Sequence, residues 1–577
     1  MANKEDFDIA IIGSGVSGLV CGCYLQKAGL KVAIFEAREE AGGGRMVHEA
    51  MRPGHLVQSC VWVDIDPVMP HQLNLELDRY GYQDTHMPSA SNWAWGYVFE
   101  DETCLMNNCW DPRQTAEKVK RFSEHDANKI LEIAGIMAQP YDDENTRFSK
   151  FAELLYTAPW TWENFDKLID VLTPIIPFDD PYEVTDLNGF EMLDLMFESD
   201  QLKVFCASLA VGSGIYPHHT GGGASLLAPL LPLSFFYSHP KHGCHSMAHV
   251  YIRCFRALGG KLFNSCPVKK IIVAGGEAKG VILDDDAAFP GKEITAKKVV
   301  TNLNPRLTFT ELVGEEHVER KLISQLKTNW KGEVSLVGIC YALKERPHFA
   351  AEKYDPDIVH TLVGGMGSGS FEEYISGWGQ RMGGRIAKTP WTYCFPHKDD
   401  PTQSFPGNAV ANVSVEVPYA IYGKGGSAVW DDRDFRNMIT KSIENFWDAC
   451  PGGKNNILDS WMTTPLDLER INPNYIRGDF SAGAGIAHQM FYGNRDNFAG
   501  FENGGIITPI KNLYASGSGV GIAWSSGGNG YRAANHIAEE LGIRNQPWWT
   551  HRIGEYITKK YIEKSYVPLK PTSVLDK

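Results

Sequence analysis

The spacing of apolar positions along the chain changes several times, and the changes divide it. Phe7-Asp8-Ile9-Ala10-Ile11-Ile12 is a short run rich in β-branched residues and predicts a strand. Val16, Leu19, Val20 and Cys23 then recur at helical spacing as far as Ala28-Gly29, and Lys31-Val32-Ala33-Ile34-Phe35 predicts a second strand ending at Glu36. Residues 50–110 hold Trp62, Trp93, Trp95, Tyr97 and Trp110 without a sustained period, which predicts irregular structure with short strands. From Asp111 to about Pro177 the period is helical, through Ala116, Val119, Phe122, Ile130, Ile133 and Ile136, and a further helical stretch is predicted over Phe190 to Ala210. Ser335 to Leu343 reads as a strand of another unit.

Between the first strand and helix lies Gly13-Ser14-Gly15-Val16-Ser17-Gly18, a G-x-G-x-x-G turn. Gly13 permits the tight turn, Gly15 lets a pyrophosphate approach the backbone, and Gly18 lets helix and strand pack closely. The helix start offers free N–H groups and a partial positive charge. Glu36, closing the second strand, is placed to accept a hydrogen bond from a ribose 2′-hydroxyl, which argues against a 2′-phosphate. A glycine-rich turn without a ligand is the alternative, and the registered strand, helix, strand and acid weigh against it.

At 577 residues the chain is too long for one core. Its 43% apolar and 22% charged residues are ordinary for a globular protein, and a net charge of −15 without a Lys/Arg run excludes nucleic acid as an expected partner. The 12 cysteines are scattered and form no C-x-x-C, so neither a disulfide framework nor a cysteine metal site is expected. Met1 to Asp6 has no apolar run before the first strand, and a reducing, cytoplasmic setting is expected. The apolar stretch Leu226 to Phe236 is interrupted by Pro229 and Pro232 and cannot span a bilayer as a regular helix. It reads as a buried loop and helix, or as a channel wall or shallow membrane-docking patch. His245 and His249 would share a helical face at a spacing suited to a metal, but no neighbouring carboxylate or cysteine pattern completes a site, and no metal is assigned.

After Glu36 the chain runs Ala37-Arg38-Glu39-Glu40-Ala41-Gly42-Gly43-Gly44-Arg45. An acid followed shortly by Gly-Gly-Arg resembles the flavin-dependent amine oxidase and phytoene desaturase superfamily. With Gly43 and Gly44 taken as the pair, the resemblance implies that Gly13, Gly15, Val16, Ser17, Gly18, Glu36, Ala37, Arg38, Gly43, Gly44 and Arg45 hold the adenosine and pyrophosphate of FAD. Cys266-Pro267-Val268 to Val273 resembles the superfamily strand whose first residue, here Val268, meets the adenine through its backbone, and Ile294 to Pro305 resembles the strand that returns to the FAD domain. Thr508 to Gly519 and Gly527 to Ala534 resemble the closing motif, which implies Gly517, Ser518, Gly528 and Asn529 at the flavin. Asp400 to Asn408 and Val415 to Tyr419 resemble the phytoene-desaturase-related branch more than the amine oxidases. Ser518 stands where many relatives carry an acid, and Val520 to Ser526 replaces the branch's His-Pro-Gly-Gly-Gly. Ile522 occupies the third glycine position of Gly517-Ser518-Gly519-Val520-Gly521, so no separate NAD(P) loop is expected there.

The implied architecture is α/β (α+β): a Rossmann-type FAD-binding domain assembled from the discontinuous segments 1–110, 236–310 and 476–545, a helical cap over 111–235, a mixed-sheet substrate domain over 311–475 and a C-terminal tail over 546–577. The implied chemistry is removal of hydride from an allylic carbon to flavin N5 with loss of a proton from the adjacent carbon, desaturating or isomerising an apolar isoprenoid. Oxidation of an amine, or a flavin-binding subunit inactive alone, are the alternatives. His488 and Glu416 are candidate acid or base, Tyr419 a candidate for orienting substrate and Trp524 for stacking near the isoalloxazine; residues of these types are more often structural. Oxygen, a quinone or a redox protein remain open as electron acceptor, as do contact with the inner face of a membrane and homo- or hetero-oligomeric assembly.

Overall fold

The computed structural model describes residues 6–58, 70–88, 93–108, 111–212, 216–223, 238–328, 330, 335–387, 392–394, 400–480, 501–517, 519–520, 527–550, 567 and 570. The nucleotide layer is assembled from β1 (Phe7–Ile12), α1 (Val16–Lys27), β2 (Val32–Phe35), α2 (His245–Ala257), β3 (Lys261–Phe263), β4 (Val268–Ala274), β5 (Glu277–Leu283), β6 (Glu293–Thr301), β7 (Leu513–Ala515) and α3 (Gly528–Glu540). Its parallel part has the order β3-β2-β1-β6-β7, and the hairpin β4-β5 joins the N-terminal half of β6 to complete seven strands. Such a sheet is buried on both faces, and β1 shows why its sequence is apolar without alternation. Ile9 and Ile11 enter one core with Leu19, Tyr251 and Ile537, while Ala10 and Ile12 enter another with Ile271, Val281 and Phe309. α1 is buried from Val16 to Leu25, pressed between α2 and α3. The close approach to α3 needs Gly530, where a Cβ would lie 1.9 Å from the Ser17 carbonyl oxygen.

A second layer is the antiparallel sheet Thr392–Cys394, Ala409–Val417, Ser335–Leu343, Ile457–Thr463, in that order. A third sheet joins Leu362–Gly367, Trp93–Phe99 and Cys104–Asn108. Residues 93–108, grouped by sequence with the first nucleotide segment, therefore pack elsewhere. The two faces of this hairpin bury in different places: Trp95, Tyr97 and Phe99 join the core of the cap, and Val98, Cys104 and Met106 join that of the second sheet. Both faces being buried removes the polar alternation by which the strands would have been recognised.

The cap holds helices Pro112–Val119, Glu124–Ala138, Arg147–Tyr156, Trp162–Leu172, Gly189–Met196 and Asp200–Gly212. Asp111, Ser123, Thr146 and Thr161 each cap a helix start by accepting a backbone N–H, and Asn188 forms a capping box with Glu191. The stretch expected as one helix from Phe190 to Ala210 is two helices. The buried carboxylate of Asp126 accepts the Glu198 and Ser199 N–H groups at 2.8 Å each and so terminates one helix and starts the next. Arg532 of α3 locks the cap to the nucleotide layer: its guanidinium donates to the carbonyls of Leu155 and Ala158, at a helix C-terminal end where positive charge is favoured, and lies 4.7 Å from the centre of the Trp160 ring. Among the described residues no helix is long and apolar enough to cross a membrane.

Candidate nucleotide and substrate site

Register sets the site. Ile12 pairs with Phe35 and Thr301, Phe35 with Phe263, and Thr301 with Ala515, so the parallel strands end in one row. Gly13, Glu36, Asn302 and Ser516 consequently leave the sheet side by side, where the connections diverge to opposite sides of β1. Ligands of open parallel sheets bind at such a point. The backbones meet closely there: a Cβ on Gly15 would lie 2.6 Å from Asn302 Nδ2, one on Gly43 2.7 Å from the Gly15 Cα, and one on Gly517 2.7 Å from the Asn302 oxygen.

The chemistry of this edge fits a diphosphate. α1 starts at Gly15 and α3 at Gly527, and neither start has a side-chain cap, unlike the five cap-domain helix starts above. Their first N–H groups remain available to anionic oxygens. Ser17 is 4% exposed, and its Oγ has no hydrogen-bond partner among the described residues. Such a hydroxyl is costly to bury unless it meets a ligand or water.

Glu36 is buried at the end of β2. Ser14 donates to its Oε2 from N and Oγ, at 2.8 and 2.5 Å, and the Arg38 N–H donates to Oε1 at 3.0 Å. A carboxylate has about four acceptor positions, which leaves capacity for a ribose hydroxyl. Ser14 Oγ also accepts the Gly42 N–H, and Arg38 Nη1 donates to the Gly43 carbonyl. The glycines of the cluster with positive φ are Gly42, at +133°, and Gly43, at +61°. Gly44 follows them, and Arg45 is buried, with its carbonyl accepting from His245 Nδ1 at 2.6 Å. Ala37 is exposed, and Val16 packs into the core around α1. The Cys266 N–H donates to the Glu36 carbonyl, which brings Val268, at the start of β4, near the acid. Gly528 opens α3, and Asn529 Nδ2 donates to the Gly517 carbonyl at 3.1 Å. Ser518, His488 and Trp524 lie outside the described residues.

In the second sheet the strand Ala409–Val417 alternates from Ala411 onward. Ala411, Val413, Val415 and Val417 enter the core of the second sheet. Asn412, Ser414 and Glu416 project from the opposite face yet are only 1%, 0% and 2% exposed, so this polar face looks into the molecule. Ser414 Oγ donates to Asn412 Oδ1, and Asn412 Nδ2 to the Gln58 carbonyl. Glu416 faces Arg381, with Nη2 3.8 Å from its carboxylate and Nε donating to its carbonyl. Arg381 belongs to helix Phe371–Met382, whose Phe371, Tyr374 and Trp378 join the cap core. Its guanidinium lies 5.3 Å from the centre of the Trp378 ring, and His218 stacks on that ring. Burial pushes the Tyr97 hydroxyl pKa well up, with Tyr374, Glu100 and Glu416 adding to the effect, so Tyr97 stays protonated. The Tyr216 hydroxyl donates to Asp479.

This polar centre connects to the nucleotide edge. Asn304, just beyond β6, donates from its N–H and Nδ2 to Asn474, and the chain from Asn474 to Asp479 covers at most about 18 Å when extended. Tyr419 lies against this same segment: its ring faces Arg477, its hydroxyl donates to Glu469, and its carbonyl accepts from Trp430. Arg381, Trp378, Tyr97 and Asp479 were not singled out from the sequence. The available signal was an arginine in line with Phe371, Tyr374 and Trp378 on the apolar face of one helix.

A parallel sheet with glycine-lined, uncapped helix starts at its carboxyl edge, bridged to a buried polar face, has the form of a dinucleotide-dependent oxidoreductase. Residues 11–61 match the NAD(P)-binding Rossmann-like domain. The chain is 26% identical to a limonene dehydrogenase component from Castellaniella defragrans, named as one subunit of that enzyme, over 95% of its own length and 97% of the relative's. It is 23% identical to the lycopene-forming phytoene desaturase of a Paracoccus species, covering 88% of this chain and 92% of that one. Its fold is similar to that of a putrescine oxidase redesigned in cofactor binding, with a TM-score of 0.57 and 15% identity over 93% of this chain and 99% of that one. Over its length the chain thus resembles the phytoene-desaturase-related branch of the flavin-dependent amine oxidase superfamily.

Proposed function

We infer that the protein binds FAD and dehydrogenates an apolar isoprenoid, cyclic or linear. The observation that carries this is the end-to-end similarity to the limonene dehydrogenase component, and the similarity to a phytoene desaturase supports the same substrate class. Gly13, Gly15, Ser17 and Gly43 hold the diphosphate, Glu36 the adenosine ribose, and the β4 start at Val268 the adenine. Bound there, the flavin supplies a two-electron acceptor for oxidation of a C–H bond. Glu416 is the candidate proton acceptor, buried and facing the Arg381 guanidinium. The aromatic cap core orients a substrate that has few polar groups to grip. That the relative is named as one subunit of an enzyme supports a second chain as partner, and oxygen, a quinone or a redox protein are the candidate terminal acceptors.

The test is anaerobic mixing of the purified flavoprotein with representatives of each substrate class. Bleaching of the flavin by a monocyclic terpene or a linear carotenoid precursor is expected. Bleaching by putrescine or a cyclic amine, with terpenes inert, would assign the protein to amine oxidation instead.

A further inference from the structure

We propose that Glu40, His245 and His249 form a binding site for a borderline divalent transition metal of the zinc, nickel or copper class, built against the glycine cluster that follows β2. The sequence alone shows the histidine pair, one turn apart on α2, and the third ligand comes from the distant loop after β2. The three ligand atoms all lie within 4.8 Å of one another. His245 Nε2 is 2.8 Å and His249 Nε2 3.8 Å from Glu40 Oε1.

Several features distinguish this group from a chance surface ion pair. The His245 side chain is 8% exposed, and its ring is held between the cluster and α2, since a Cβ on Gly42 would lie 3.0 Å from its Cε1. Its Nδ1 donates to the Arg45 carbonyl at 2.6 Å, the backbone anchor that metal-binding histidines use to fix the tautomer and aim Nε2 at an ion. Despite its 2.8 Å contact with Glu40, Nε2 has no partner in hydrogen-bond geometry among the described residues, so its bonding direction is not consumed. Two imidazoles and one carboxylate form a three-ligand set that zinc accepts with water in the fourth position. Metal–ligand distances of about 2.0–2.2 Å need ligand atoms roughly 3.5 Å apart, a shift reachable by rotation of the half-exposed Glu40 and His249 side chains.

An ion here would tie α2 to the loop of Gly42 and Gly43 and stiffen the wall of the nucleotide edge. The inference stands independently of the substrate assigned above. It is tested by titrating full-length, cofactor-loaded protein, free of any affinity tag, with zinc chloride in a calorimeter, alongside Glu40→Gln and His249→Ala. The expected result is one zinc per chain at micromolar or tighter affinity, at least tenfold weaker in each variant, with zinc raising the thermal midpoint of the wild type only. Copper loading followed by paramagnetic resonance should show two nitrogen ligands in the wild type and one in His249→Ala. Failure of the wild type to bind a stoichiometric zinc, or equal affinity in all three proteins, overturns the proposal. Both variants change exposed side chains, and circular dichroism verifies their fold.

Discussion

Gly43 illustrates how much the nucleotide edge depends on single atoms. Its φ of +61° already disfavours a side chain, and a Cβ would lie 2.7 Å from the Gly15 Cα, in backbone that cannot yield. Gly43→Ala should fold but lose bound flavin, read as the ratio of visible to ultraviolet absorbance of the purified protein. In the proposed reaction the corresponding residue is Glu416. Glu416→Gln keeps the shape and removes the base, so the rate of substrate-driven flavin reduction should fall about a hundredfold, within the usual range for a lost general base, at unchanged flavin content. Loss of flavin or of folding together with rate would instead assign Glu416 a structural role. These residues differ in how far the sequence reveals them. The glycine loop and Glu36 are legible because local chain geometry dictates them. Arg381 and Asp479 are not, because Arg381 meets Glu416 and Asp479 meets Tyr216 only when separate segments converge.

At the scale of elements, the cap is fastened by charges as well as by apolar packing. The Asp355 carboxylate, its side chain 2% exposed, lies 2.7 Å from Lys118 Nζ and 2.6 Å from Arg121 Nη1 of the cap's first helical segment. Burial works to raise its pKa, but the hydrogen bonds from Lys118 and the Asp357 N–H and the charges of Lys118 and Arg121 outweigh it, so the pKa is lowered. A lowered folded pKa gives stability that is present above the unfolded value of about 4 and is lost as the pH falls through the folded value. Asp355→Asn should therefore cost about 3 kcal/mol at neutral pH, as for removing one partner of a buried ion pair, and the gap to wild type should narrow in urea titrations below about pH 4. The helical character of the cap was readable from period, whereas its division into separate helices emerges with the caps Asp111, Ser123, Thr146, Thr161 and Asn188. The break at Phe197 to Ser199 was not, because it depends on Asp126 from another helix. Strands Trp93–Phe99 and Cys104–Asn108 are among the short strands expected over residues 50–110, but their bounds were obscured because both of their faces are buried.

In the whole molecule, one nucleotide layer is sewn together from the two ends of the chain and its middle. β1 has β2 on one side and β6 on the other, β6 carries β7, and α1 packs against α3, so the cofactor edge is complete only once the C-terminal segment has docked. A chain ending at residue 500 lacks β7 and α3 and exposes the buried α3-facing side of α1; it should be insoluble or flavin-free in expression trials, whereas a simple sequential arrangement of domains would leave flavin binding intact. For the same reason bound cofactor should stabilise the entire assembly, by about 2.7 kcal/mol when free flavin stands at a hundredfold excess over its dissociation constant. In the proposed reaction this assembly holds FAD and uses it to oxidise an apolar terpene. The most direct measurement is an anaerobic titration of the purified protein with a monocyclic terpene, following the visible flavin spectrum, with the released chromophore identified by mass. One FAD per chain and bleaching by the terpene are predicted; a protein that neither carries nor takes up FAD, or whose FAD stays oxidised with terpenes and bleaches with amines, would contradict the account.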